Sequence, residues 1–155
     1  MQREINGKKY KYNTIDHTSD VGLEATGSTL QNVFENLLNG VISIMKGESS
    51  TSDHEELLFS FKADSYENIL FDSIMEIIYQ IEVKGNFPVE IKVISIDEQG
   101  NSAEGVLTKM TLKFKYIPLD DVREIKSMIK APTYHRIELK KEMDKKYFGR
   151  IILDV

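Results

Sequence analysis

The chain has no cysteine and no tryptophan, and only three histidines and three prolines among its 155 residues. Without cysteine there is no disulfide framework, no thiolate zinc site and no cysteine nucleophile. That usage suits a reducing cytosol, so the expected location is cytoplasmic. No stretch approaches the roughly 20 apolar residues that span a bilayer, and the opening MQREINGKKY lacks the apolar run of a signal peptide. No membrane partner is expected. Neither GxxxxGK[ST] nor GxGxxG occurs; Gly22, Gly27, Gly100 and Gly105 stand alone, as turn or bulge glycines do. The chain therefore has no recognisable nucleotide-binding loop of its own. Repeats and linker-like stretches are missing too, so residues 1–155 read as one domain.

What is present is enough for one core: 41% hydrophobic and 29% charged residues describe a globular chain. A net charge of −5 argues against a general nucleic-acid binder. The charge is uneven, however. Asp121 to Val155 holds nine Lys or Arg against six Asp or Glu, whereas the first 120 residues hold eleven against nineteen. An anionic partner for this basic C-terminal third stands beside the plainer reading, a solvated strand surface.

The hydrophobic pattern gives strands at Lys8–Ile15 and Val21–Gly27. A helix follows, with Leu30, Val33, Phe34, Leu37, Leu38, Val41 and Ile44 on one face; Ser28 and Gln31 form its capping box. After the polar run ESSTSDHE, Leu57–Ala63 reads as a strand, and Asp64 or Ser65 caps a second helix from Tyr66 to about Val83. Its apolar content predicts that this second helix packs centrally. From Val89 the period is two: strands VEIKVISID and AEGVLTKMTLKFKYI join through EQGN, PLDDVREI makes a loop or single helical turn, and KSMIKAPTYHRIELKKE is extended with Pro132 at an edge or break. MDKK turns the chain into a last strand, YFGRIILDV. The expected fold class is α+β, a single domain with two main helices on largely antiparallel or mixed sheet.

Chemistry concentrates at the mouth of the second strand, where His17, Ser19 and Asp20 fall within four positions. They supply the residue types of a hydrolase triad, but triad members normally arrive from separate chain segments. His17, His54 and His135 show no HExxH-type spacing; folding alone would have to assemble a three-histidine zinc site, and His54 reads as a solvated loop residue. A third reading is a hard cation. Asp154 is followed by Val155, so two carboxylates arrive together at the end of the last strand, and Asp20 makes a third if the fold brings it there. Oxygen-only ligation suits calcium or magnesium, and less exclusively manganese. The plainer account has Asp20 capping a turn and Asp154 solvated. In IKAPTYHRIEL, Lys130, Thr133, Tyr134 and His135 form a polar-aromatic cluster that either touches a phosphate or acidic partner or is an ordinary strand with a proline break.

Taken together, three blocks resemble the archease family: DHTSDVGLEATGSTLQNVFENLLNGV with its HTAD-type motif, IKAPTYH against a KAxTYH-type segment, and the closing ILDV. They run in family order from Tyr12 to Val155. Ser19 stands where alanine is usual, and residues 47–56 and 118–124 match poorly. The resemblance implies an accessory protein, not an enzyme, with no catalytic residue of its own. Its partner would be an RtcB-type RNA ligase. It would promote guanylate transfer from GTP to the ligase's active-site histidine and multiple turnover, in transfer-RNA splicing and repair, touching RNA only through the ligase. It also implies a divalent cation, usually calcium with magnesium or manganese as alternatives, at Asp20, Asp154 and Val155. His17 and His135 would orient those ligands, and Lys130, Thr133 and Tyr134 would lie toward the partner. The residues alone leave two other readings open, a metal-dependent phosphohydrolase and an RNA-binding module using the basic C-terminal third.

Overall fold

The computed structural model describes residues 2–5, 8–16, 20–45, 47, 53–102 and 105–155. Strands β1 (Gln2–Ile5) and β2 (Lys8–Lys11) form a hairpin. Strands β3 (Asn13–Asp16), β4 (Asp20–Gly27), β8 (Ala131–Met143) and β9 (Lys146–Asp154) form an antiparallel sheet in the order β3-β4-β9-β8. Strands β5 (Glu55–Ala63), β6 (Asn86–Ser102) and β7 (Gly105–Pro118) form a second antiparallel sheet, ordered β5-β7-β6. Helices α1 (Leu30–Met45) and α2 (Tyr66–Glu82) each contact both larger sheets, and one apolar cluster takes in all four components. The α+β expectation is met. Among the described residues no helix is long and apolar enough to cross a membrane.

The helix starts follow local chemistry. Ser65 caps α2 through its Oγ, which accepts from the Asn68 amide at 3.1 Å. At α1 the cap is Thr29, not Ser28: Asn32 N donates to Thr29 Oγ1 at 3.1 Å, while Ser28 Oγ accepts from the Asn32 side chain. Gln31 closes no capping box, because its side chain is committed elsewhere. Gln31, Glu35 and Asn39 recur one turn apart and meet β6, the free edge of its sheet. Gln31 Nε2 donates to the Val93 carbonyl at 2.9 Å, and Val93 N donates to Glu35 Oε1 at 3.0 Å. Asn39 accepts from Ile91 N at 3.1 Å and donates to its carbonyl at 2.8 Å. A helix stripe thus stands in for a missing neighbour strand and satisfies an edge that would otherwise invite pairing.

That contact explains two departures from expectation. α1, with ten of sixteen residues buried, is the more enclosed helix; α2 has eight of seventeen and leaves Met75 and Tyr79 outside. Lys8–Ile15 is two strands in two sheets, with buried Tyr12 between them. Lys8 ion-pairs with Glu35, and Tyr10 donates to buried Glu90 at 2.8 Å, fastening the hairpin against α1 and β6. EQGN is still strand, and the ladder closes at Ser102 and Gly105. The run from Lys126 becomes a strand only at Ala131, because Lys126 N is spent on the last-turn carbonyl of Met45 and Ile129 is buried. Pro132 sits on β8, an edge strand, the place in a sheet where a residue without an N–H is tolerated.

Candidate functional site

On β4, Leu23 and Ala25 enter the core, as do Ile151 and Leu153 on β9. Side chains alternate along a strand, so Asp20, Gly22 and Glu24 occupy the opposite face with Asp154, Ile152 and Arg150, their register partners. Asp20 and Asp154 are directly opposed, which puts their Cβ atoms about 5 Å apart. Both are partly exposed. Two residues along the face, a second acid pair is handled differently: Arg150 bonds Glu24 at 3.1 Å and Glu138 at 3.3 Å. Among the described residues no lysine, arginine or histidine pairs with Asp20 or Asp154. Among the described residues, the sheet therefore ends in a carboxylate pair with no cationic partner.

β8 completes this end of the sheet. Ala131 is the other register partner of Asp154, and Lys130 N donates to the Asp154 carbonyl at 2.8 Å. Thr133 Oγ1 donates to the Ile152 carbonyl at 2.9 Å. Beyond Thr133 the ladder resumes only at Glu138, opposite Arg150, so β8 carries a bulge in which Arg136 has φ 57°. The bulge holds out Tyr134, which stacks on Phe71 of α2 with centroids 4.0 Å apart and stays 55% exposed. His135 is exposed on the same bulge. Lys130 and Thr133 are thus brought to the carboxylate pair, Tyr134 and His135 are carried out beside it, and Val155 follows directly on Asp154. His17 lies outside the described residues.

No three His, Cys, Asp or Glu side chains among the described residues are grouped to hold a metal ion. The pair itself offers two hard oxygen donors; the remainder of a shell would come from main-chain carbonyls and water. That donor set suits a hard cation and no soft one. Elsewhere, a cavity of about 280 Å³ is lined by Asp53, His54, Glu55, Tyr116 and Asp121. His54 is exposed there as expected for a loop residue, and the Tyr116 hydroxyl is held above its ordinary pKa chiefly by its hydrogen bond to Glu55.

The model of the Archease protein family (MTH1598/TM1083) matches residues 12–155. The chain belongs to the archease family. Protein archease of Methanosarcina barkeri is 28% identical over 151 residues, covering 96% of this chain and 97% of that protein. Its Methanosarcina mazei counterpart is 29% identical over 135 residues, covering 87% and 88%. The solution structure of Methanobacterium thermoautotrophicum protein 1598 superposes with a TM-score of 0.66 at 26% identity, covering 93% and 98% of the two chains. An archease from Thermotoga maritima, described as a possible chaperone, gives 0.56 at 22% identity over 94% and 98%; at that identity the likeness speaks for the fold.

Archease membership agrees with the three sequence blocks. Two features escaped sequence reasoning. Phe71 falls off the buried stripe of α2, in line with Met75 and Tyr79, and an aromatic so placed signals an external contact. Arg150 alternates with core residues on β9, and only the strand register reveals the two acids it serves.

Proposed function

We propose that this archease is an accessory protein that activates an RtcB-type RNA ligase in transfer-RNA splicing and repair in the cytoplasm. It promotes guanylylation of the ligase and repeated turnover rather than performing catalysis itself. The observation that supports this reading most is the opposed pair Asp20 and Asp154, partly exposed at a sheet end with no cationic side chain among the described residues paired to either. Asp20, Asp154 and Val155 would hold a divalent cation, calcium first, which supplies the positive charge the pair lacks. Like charges this close favour whatever neutralises them.

A helper raises the population of a competent ligase state only by binding that state more tightly than the others. The residues available for such selective contact cluster at this end: Lys130, Thr133, and the bulge with Tyr134 and His135. His135, with His17, is suited to orienting carboxylate or ligase groups. The bulge is locked from behind by Phe71, so Tyr134 is presented with little freedom to lose on docking. Multiple-turnover ligation by the cognate ligase, with and without the chain, tests the reading. Acceleration supports it; no acceleration of a competent ligase refutes it.

A further inference from the structure

We propose that the outer face of the β5-β7-β6 sheet binds the phosphodiester backbone of RNA. This surface lies in the other sheet from Asp20 and Asp154, and the inference stands independently of the ligase reading. Phe114, Leu112 and Met110 of β7 enter the core, so Lys109, Thr111, Lys113 and Lys115 project outward. The register builds four tiers across the face. Glu56, Lys115 and Glu90 form the first, and Leu58, Lys113 and Lys92 the second. Ser60, Thr111 and Ser95 form the third, and Lys62, Lys109 and Asp97 the fourth.

Five lysines thus meet three carboxylates on one face of a chain whose net charge is −5. Two of the acids, Glu56 and Glu90, lie at one end, and Asp97 stands opposite Lys109 at the other. Glu90 is buried, 3.4 Å from Lys115, and Glu56 lies 3.7 Å from Lys113. Lys62 and Lys109 ion-pair with no carboxylate among the described residues. Lys62 is directly opposed to Lys109, and Lys92 to Lys113. Lys92 and Lys113 are offset within the sheet by Glu90 at 4.0 Å and Glu56 at 3.7 Å, but directly opposed like charges destabilise a sheet, so folding alone gives no reason for the Lys62–Lys109 pair. A bound polyanion does.

The chemistry of the face points to a sugar–phosphate backbone. No aromatic ring stands on it to stack bases, and lysine and hydroxyl groups are the usual partners of phosphate and sugar oxygens. The hydroxyl tier lies between the two lysine tiers, where it can meet ribose 2′-hydroxyls. Lys109 to Lys115 spans about 20 Å at strand rise, room for several nucleotides of an extended strand.

The test is fluorescence anisotropy of a short labelled oligouridylate, titrated with the full chain between about 50 and 200 mM salt. Binding should weaken steeply with salt. The Lys109→Gln, Lys113→Gln double variant should bind more weakly and lower the log–log salt slope by about 1.4, at roughly 0.7 for each lost contact to a single strand. Lys62→Gln alone, on an exposed edge-strand side chain, should lower it by about 0.7 and serves if the double variant misfolds. Lys140→Gln with Lys141→Gln, on β8, should leave the slope unchanged. No salt-dependent binding, a slope indifferent to the β5 and β7 lysines, or equal binding of the matching DNA or of polyglutamate would overturn the proposal.

Discussion

Asp20 and Asp154 face each other directly across the β4–β9 ladder, four residues beyond the Glu24–Arg150 ion pair. Among the described residues, Glu24 has an arginine partner and the Asp20–Asp154 pair has no cationic one.

The first prediction concerns stability. In chelator, Asp20→Asn should raise stability by roughly 0.5 kcal/mol, the scale of one unfavourable cross-strand pair. Calcium at about a hundredfold excess over its Kd should stabilise the wild type by about 2.7 kcal/mol, or roughly 5–11 °C in melting temperature for a domain this size. The variant should gain far less. Thermal melts with calcium and with chelator check both statements.

Asn39 is fully buried and makes hydrogen bonds to both backbone groups of Ile91. Asn39→Leu keeps the volume but orphans a buried N–H and a buried carbonyl, at about 1–3 kcal/mol each. The expected loss is about 4 kcal/mol, read by urea denaturation. A loss below 1 kcal/mol would mean that the helix stripe does not secure the β6 edge.

Gly149 lets α1 lie directly on β9. A Cβ there would come within 2.7 Å of both Leu37 Cδ1 and Val33 Cγ1 and within 2.8 Å of Leu139 Cδ2. Gly149→Ala should therefore destabilise, by roughly 1–3 kcal/mol as overpacking does. An unchanged melting temperature would contradict this close approach.

Tyr66 is pushed up to about 12 from 10.0, first by burial and then by its hydrogen bond to Glu98. A raised pKa means the native state keeps the phenol proton after the unfolded chain has released it. The linked stability is present below pH 10 and is lost as pH rises toward 12. In an alkaline absorbance titration, Tyr66→Phe should remove a phenol ionising near 12 rather than near 10. Glu98→Gln should lower that value only in part, because burial is the larger cause.

The sequence was most legible where one period and one cap decide an element. α2 runs Tyr66–Glu82 behind Ser65, and β4 and β9 fall within a residue of their hydrophobic alternation. It was least legible where partners come from afar. Gln31 read as half of a capping box, and Glu35 and Asn39 fell outside the apolar stripe, since nothing local reveals that the β6 edge lies against them. The same holds for the candidate site. Asp20 and Asp154 were both visible as hard ligands, but 134 positions of chain separate them and only the β4–β9 register makes them neighbours. The bulge that exposes Tyr134 shows as a register shift against β9, which an unbroken strand-like pattern conceals.

The proposed function places the working site at this carboxylate pair, acting on an RtcB-type ligase. The direct measurement is the steady-state fraction of guanylylated ligase, read with labelled GTP during multiple-turnover ligation, with the wild-type chain or with Asp20→Asn shown to be folded. The account predicts a high guanylylated fraction with the wild type and a fraction close to the ligase alone with the variant. Equal fractions with the two would contradict it.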